Sequence, residues 1–233
     1  MQPGQEIRLN KYLAERLGIS RRQADDLIAA GKILISKGKE KIPAVLGGRI
    51  DKNTEIYYNN KLLPFSQTYT YLALNKPKGY VCSRKKQGEA ETIYTLLPEK
   101  YQVLKTVGRL DKDSSGLILL TNDGDFAYQM THPKFTKEKV YEVELNRELS
   151  PLHQQMIADF GVELPDGNSK LGLSHMDNGR KKWQVVMSEG RNRQIRRTFE
   201  ALGYRVVKLH RVQFGKYQLS GLRTGEFVEV EKV

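Results

Sequence analysis

The densest group of polar, reactive side chains in this 233-residue sequence is GRLDKDSSGLILLTNDGD, residues 108–125. A glycine-led loop presents Arg109, Asp111 and Asp113 and then enters the apolar strand GLILLT. Two aspartates in a loop are most often turn-formers that hydrogen-bond their own backbone. Asp111, Asp113, Ser115 and Gly116 also fall at positions one, three, five and six of an EF-hand loop. Calcium is discounted because position twelve is Asn122, which cannot supply a bidentate carboxylate, and an apolar strand stands where the second helix should begin.

A second constellation is EGRNRQIRRTFEALG, residues 189–203. On a helical wheel at about 100° per residue, Phe199 and Leu202 fall within roughly 40° of Ile195, so these three form the buried stripe. Arg193, Arg197 and Glu200 lie nearly opposite, toward solvent or a polyanion. Arg196 sits on the border, at about 100°, where it can enter a cleft and would need a carboxylate or phosphate partner. A surface ion pair to Glu200 at i+4 is the alternative for Arg196. The third segment is EKVYEVEL, residues 138–145, whose alternation places Tyr141, Val143 and Leu145 on one face. From spacing alone Tyr141 reads as core. His132, His153, His175 and His210 show no metal-ligand spacing, and no phosphate-binding loop, dinucleotide fingerprint or Ser-His-Asp signature occurs. A histidine-based metal site is not expected.

Positioning these segments requires an α+β fold with a largely antiparallel sheet. YLALNK, GLILLT, VYEVEL, WQVVMS, RVVKLHRVQF and FVEVEKV read as strands from Tyr71 onward. Helices are expected at 125–130, at SPLHQQMIADFG with Ser150 as cap and Pro151 at the first turn, and at 192–203. Upstream, IRLNKYLAERLG carries Leu9, Tyr12, Leu13 and Leu17 at helical spacing with Gly18 as a stop, and Ser20 caps a second helix ending at Gly31. Short strands follow at 33–35 and 55–58. Residues 59–70, NNKLLPFSQTYT, read as a connection, and the boundaries are set at 1–62 for a small N-terminal domain, 63–70 for the linker and 71–233 for the larger domain.

Charge points to the partner. The 39 Lys and Arg exceed the 27 Asp and Glu, giving a formal +12. Residues 189–217 alone contribute +6, with eight basic and two acidic residues, and residues 76–86 hold five basic residues and no acid. Clustered arginine with Tyr80, Tyr204 and Tyr217 interleaved favours nucleic acid, with the tyrosines as stacking surfaces. Arg8, Lys11, Arg21, Arg22 and Lys32 lie on or beside the N-terminal helices. The longest apolar run, Leu117–Leu120, is too short to span a bilayer, and MQPGQEIRLN lacks the apolar stretch of a secretory signal, so a cytoplasmic protein is expected. The lone Cys82 excludes an internal disulfide.

Four segments in one order, LNKPKGYV at 74–81, GRLDKDSSGLILLTNDG, KVY, and EGRNRQIRR followed by ALGY, resemble the RsuA/RluB/RluE/RluF family of ribosomal RNA pseudouridine synthases. RLNKYLAERLGISRRQADDLIAAGKILI resembles the S4-like RNA-binding domain that commonly precedes that catalytic domain. The resemblance implies that one uridine in ribosomal RNA is flipped out and isomerised without a cofactor. Asp111 would be the catalytic aspartate, either through covalent attack or by removing a ribose proton. Tyr141 would stack on the uracil and assist proton removal, and Arg196 would pair with the catalytic aspartate. Arg109 would fill the space left by the flipped nucleotide, and Ile195 and Leu202 would wall the pocket. RNA contacts are expected from Lys76, Arg191, Arg193 and Arg197 and from the five basic N-terminal residues, on a monomer. The competing reading is a non-catalytic RNA-binding or ribosome-assembly factor, which would not need Asp111, Tyr141 and Arg196 together.

Overall fold

A computed structural model describes residues 6–38, 40–51, 53–64 and 68–233; residues 65–67 of the expected linker and residues 1–5 lie outside the described part. The first helix, α1 (Leu9–Arg16), turns Leu9, Tyr12 and Leu13 inward, as their spacing requires. Helix α2 (Arg21–Ala29) opens on Ser20, whose side chain accepts from the Gln23 backbone while the Gln23 side chain accepts from Ser20 N–H. Such a reciprocal cap contributes about 1 kcal/mol.

Around the helix pair run β1 (Ile7–Arg8), β2 (Ile33–Lys37), β3 (Glu40–Pro43), β4 (Arg49–Ile50), β5 (Ile56–Tyr58) and β6 (Lys61–Leu63). β3-β2-β5-β6 form a four-stranded antiparallel sheet, and β1 pairs with β4. β6 corrects the expectation that all of 59–70 is a connection. Asn59 and Asn60 both have positive φ, 49° and 60°, and close a two-residue hairpin that returns Lys61–Leu63 onto β5. Tyr12 then donates its hydroxyl to the Leu63 carbonyl at 2.8 Å. By compactness the chain divides between Tyr69 and Thr70, with residues 122–124 grouped with the first unit.

The second unit contains β7 (Tyr71–Lys76), β8 (Lys105–Val107), β9 (Ser115–Thr121), α3 (Gly124–Thr131), β10 (Lys139–Leu145) and α4 (Pro151–Gln155). It continues with β11 (Val162–Leu164), β12 (Gly167–Ser169), β13 (Gly172–His175), β14 (Lys182–Met187), α5 (Gln194–Glu200), β15 (Val206–Phe214), β16 (Tyr217–Gln218) and β17 (Phe227–Glu229). The sheet order is β13-β14-β10-β15-β9-β7-β17, with β16 on β15 and β8 on β9. Every pairing is antiparallel except β15 with β9. Both faces of β9 are covered, Ile118 and Leu120 in one apolar cluster and Leu117 and Leu119 in another. Burial on both faces accounts for the unbroken LILL run. Tyr204 and Tyr217, expected as stacking surfaces, are buried instead, at 5% and 6% exposure.

The parallel contact is confined to His210 with Ser115 and Arg211 with Gly116. Along the remainder of β9, residues 119–121 pair with β8. Gly116 makes the close approach possible: its φ is +106°, and a Cβ there would stand 2.2 Å from the Arg211 carbonyl oxygen. Gly116→Ala is therefore expected to lose about 3 kcal/mol or more in denaturant unfolding. Gly221→Ala, also at positive φ but with nothing within 4 Å of its Cβ, should lose only about 1 kcal/mol.

Candidate active site

The loop from Gly108 to Ser114 is fastened from beneath by the end of β7. Lys76 is 0% exposed, and its Nζ donates to the carbonyls of Pro77 at 3.0 Å, Asp111 at 3.1 Å and Ser114 at 2.7 Å. Gly79 N–H donates to the Lys112 carbonyl, and Ser114 N–H closes a turn on the Asp111 carbonyl. Burial pulls the Lys76 ammonium below its ordinary value, while the Cys82, Asp111 and Asp113 groups oppose that shift.

From above, α5 adds two guanidinium groups. Arg196 donates from Nη2 to the Asp113 carbonyl at 2.9 Å and from Nη1 to the Val206 carbonyl at 2.9 Å, and its Nε lies 3.3 Å from Asp113 Oδ2. Arg193, held at a left-handed φ of 47°, grips both Asp113 carboxylate oxygens at 3.0 Å. Arg193 Nη1 also lies 3.7 Å from Asp111 Oδ2. Burial would raise the Asp113 carboxyl, but the Arg193 hydrogen bonds and the Arg196 and Arg193 charges outweigh it, leaving Asp113 below the usual carboxylate range.

Asp111 lines a cavity of about 400 Å³ together with Tyr141, Ile195 and Leu209. Tyr141 is 8% exposed and sits beside Arg211 across the β10–β15 ladder, next to a bulge at Val140/Tyr141. It is thus both a core residue and a cavity wall. Arg109 lines the same cavity, is exposed, and makes no ion pair or hydrogen bond among the described residues. Deeper, Lys139 Nζ donates to the carbonyls of Lys137 and Glu189. Burial first, then the Arg211 charge, lower Lys139 to about 8, against an opposing pull from Glu189. A carboxylate, an aromatic wall and cations around one cavity suit a neutral planar base carried on an anionic backbone.

The sequence profile described as RNA pseudouridylate synthase matches residues 70–201, more than half of the chain. This chain is an RNA pseudouridylate synthase. The S4 domain profile matches residues 7–46 of the first unit. The synthase is 32% identical to ribosomal large subunit pseudouridine synthase B of Bacillus subtilis, over 96% of this chain and 91% of that one. It is 35% identical to ribosomal small subunit pseudouridine synthase A of Pasteurella multocida, over 95% and 94%. A solved pseudouridylate synthase superposes with a TM-score of 0.68 at 32% identity, covering 97% of this chain and 96% of that structure.

Several expected contacts of the synthase are placed differently. Arg196 meets Asp113, not Asp111, because its guanidinium is drawn to the Asp113 backbone and carboxylate; the cation within ion-pair distance of the Asp111 carboxylate is Arg193. Lys76, expected against RNA, is sealed under the loop. Leu202 lies in the turn after α5, half-buried against the core and away from the cavity wall that Ile195 forms. Arg197 places both Nη atoms on the Asp166 carboxylate, at 3.0 and 2.7 Å. Arg191 binds the carbonyls of Asp166, Gly167 and Asn168. The hairpin β11–β12, which the sequence pattern did not reveal, supplies these partners and buries Gln194 and Thr198 against Ser169. In the first unit Arg8, Arg21, Arg22 and Lys32 are exposed, and Lys11 is half-buried.

Sequence reasoning missed Arg211 and Lys139 as cavity residues and Asp113 as the clamped carboxylate. An arginine in phase with the inward Leu209 on a strand was the available signal for Arg211. Lys76→Met, which keeps the length of the side chain and removes its donors, should lower kcat about 100-fold through a misplaced Asp111 loop and leave RNA affinity within threefold, as read in single-turnover and filter-binding assays. NMR of ε-labelled lysines should show Lys139 losing its proton as pH rises through about 8. Arg211→Gln removes a neighbouring positive charge, favours protonated Lys139, and should move that midpoint upward.

Proposed function

We propose that this synthase isomerises a specific uridine in ribosomal RNA, with Asp111 as the catalytic residue. One observation carries the reading: Asp111 stands at the wall of a cavity of about 400 Å³ that Tyr141 and Ile195 also line. The two relatives, a ribosomal large subunit and a ribosomal small subunit pseudouridine synthase, support ribosomal RNA as the substrate. Drawing a base out of its stack costs a few kcal/mol, least in a loop or bulge. Tyr141 offers the flipped uracil an aromatic surface and assists removal of the proton from carbon five. Arg109 at the rim takes up the space the base vacates.

Asp111 then acts on the ribose, either by bonding to C1′ or by taking the 2′ proton. Arg193 Nη1 lies 3.7 Å from its Oδ2, and Lys76 and Arg196 act through the loop as positioning residues. The exposed Arg8, Arg21, Arg22 and Lys32 of the S4 unit and Arg109 hold phosphates, with Arg191 and Arg197 occupied by Asp166. No described helix is long and apolar enough to cross a membrane, in keeping with work on ribosomal RNA in the cytoplasm.

The test is tritium release from unmodified ribosomal RNAs of both subunits labelled at carbon five of uracil. The wild-type synthase should release tritium from one of them. Asp111→Ala should release none while binding that RNA within a few-fold of wild type. Substantial turnover by Asp111→Ala would remove Asp111 from the catalytic role.

A further inference from the structure

The deepest charge in the cavity is Arg211, and nothing in the roles above uses it. It is 2% exposed, against the exposed Arg109 and Arg193 at the rim. Its Nε donates to the Leu117 carbonyl at 2.8 Å, in the interval on β9 between the short β15 contact and β8. Nη2 is buried without a hydrogen-bond partner, and neither Nη atom meets a carboxylate among the described residues. The neighbouring charge is another cation, Lys139, whose Nζ is bound only to carbonyl oxygens. Glu189 is the carboxylate felt by Lys139, and its Oε1 is already taken by Arg191 and Gln194.

A buried guanidinium that meets no carboxylate, beside a second cation whose one acidic neighbour is already bound by Arg191 and Gln194, raises the energy of the empty protein. Such a cost is recovered where negative charge develops during the reaction, because preorganised donors then need no rearrangement. Uridine isomerisation develops that charge. The C1′–N1 bond breaks, its electron pair stays on N1, and the detached uracil is an anion with charge spread onto O2 and O4. At C1′ the deficit is met by a bond to the Asp111 carboxylate or by loss of the 2′ proton. When C5 bonds to C1′, the Asp111–C1′ bond breaks and its electron pair returns to the carboxylate, or the 2′ proton is given back. The C5 proton then leaves, its electron pair restores the C5–C6 double bond, and N1 takes up a proton.

We infer that Arg211, seconded by Lys139, binds a carbonyl oxygen of the uracil and stabilises the uracil anion while the base is detached from the ribose. The inference rests on the proposal that uracil enters this cavity. It makes Arg211 a catalytic residue and Lys139 its electrostatic partner. A phosphate-binding role is disfavoured by burial: Arg211 is 2% exposed beside Tyr141 on the neighbouring strand, whereas Arg109 and Arg193 are exposed.

The experiment compares wild type, Arg211→Gln and Arg211→Lys in single turnover at saturating RNA. Two RNAs are used, one with uridine and one with 5-fluorouridine at the target. Consumption of the target nucleoside is read by mass spectrometry of digests. Fluorine withdraws electrons and stabilises the detached anion, so the protein's share of that work shrinks. Arg211→Gln should slow the uridine RNA about 100-fold or more. It should slow the 5-fluorouridine RNA by much less, with RNA dissociation constants within threefold. Arg211→Lys, which keeps charge and loses the planar fork, should fall between. Equal losses on the two RNAs, or a loss confined to affinity, would overturn the inference. Should Arg211→Gln fail to fold, Lys139→Gln alters a half-buried side chain and serves in its place: a smaller loss on the 5-fluorouridine RNA supports the inference, and equal losses overturn it. A wild-type protein inactive on every ribosomal RNA would instead count against the proposed substrate, and so separates the two failures.

Discussion

A buried ammonium holds this active site in shape. Lys76 sits at the end of β7 with no exposure and no carboxylate within ion-pair distance among the described residues, bound to three backbone carbonyls, two of them from the Asp111–Ser114 turn. Taking a charged group out of water costs several kcal/mol, and hydrogen bonds to a charged donor return about 1.5–3 kcal/mol each. Three such bonds are of the size needed to offset the burial. Since two of the acceptors lie in the loop, the bonds exist only when the loop has this shape. The same charge therefore closes the bottom of the loop and selects its conformation.

The arginine-rich stretch from 189 to 217 divides by partner. Arg191 and Arg197 bind the β11–β12 turn and fix α5 to it, while Arg193 and Arg196 bind the Asp113 end of the loop. Arg211 turns into the cavity. Much of the local excess of positive charge is thus spent inside the protein, on carbonyls and carboxylates that hold the reactive loop between β7 and α5. Arg109 has no such partner among the described residues, and Arg8, Arg21, Arg22 and Lys32 of the S4 unit are exposed. Planar forks suit this division, because one guanidinium can hold a backbone carbonyl and a carboxylate together, as Arg196 does.

The cavity owes its existence to a change in the sheet. β15 meets β9 in parallel over two residue pairs only, and β8 takes the later part of β9. Gly116 permits the short contact, and the Arg211 side chain spans the interval that follows. Because the loop, the Tyr141 strand and α5 all converge there, the Asp111 carboxylate and an aromatic wall are brought together from segments 30 or more residues apart in the sequence.

What the sequence determined by itself is everything carried by local pattern. Helical spacing of Leu9, Tyr12 and Leu13, the Ser20 cap, the unbroken LILL run and the alternation of EKVYEVEL each dictate an element through its own periodicity. The motif order with GRLDKDSSG and EGRNRQIRR carries the family, and the wheel places Ile195 and Phe199 inward, where they are. Pairing lay beyond its reach. Which carboxylate an arginine meets depends on differences of a few ångströms between groups set by separate elements, so Arg196 on Asp113 and Arg193 near Asp111 emerged only from tertiary structure. The β11–β12 hairpin escaped notice because it is short and polar, although it decides what Arg191 and Arg197 do. Burial of Lys76 and Arg211 was equally hidden: composition treats a lysine or arginine as surface, and only the folded chain can assemble the carbonyls, or the waiting cavity, that make an interior charge tolerable.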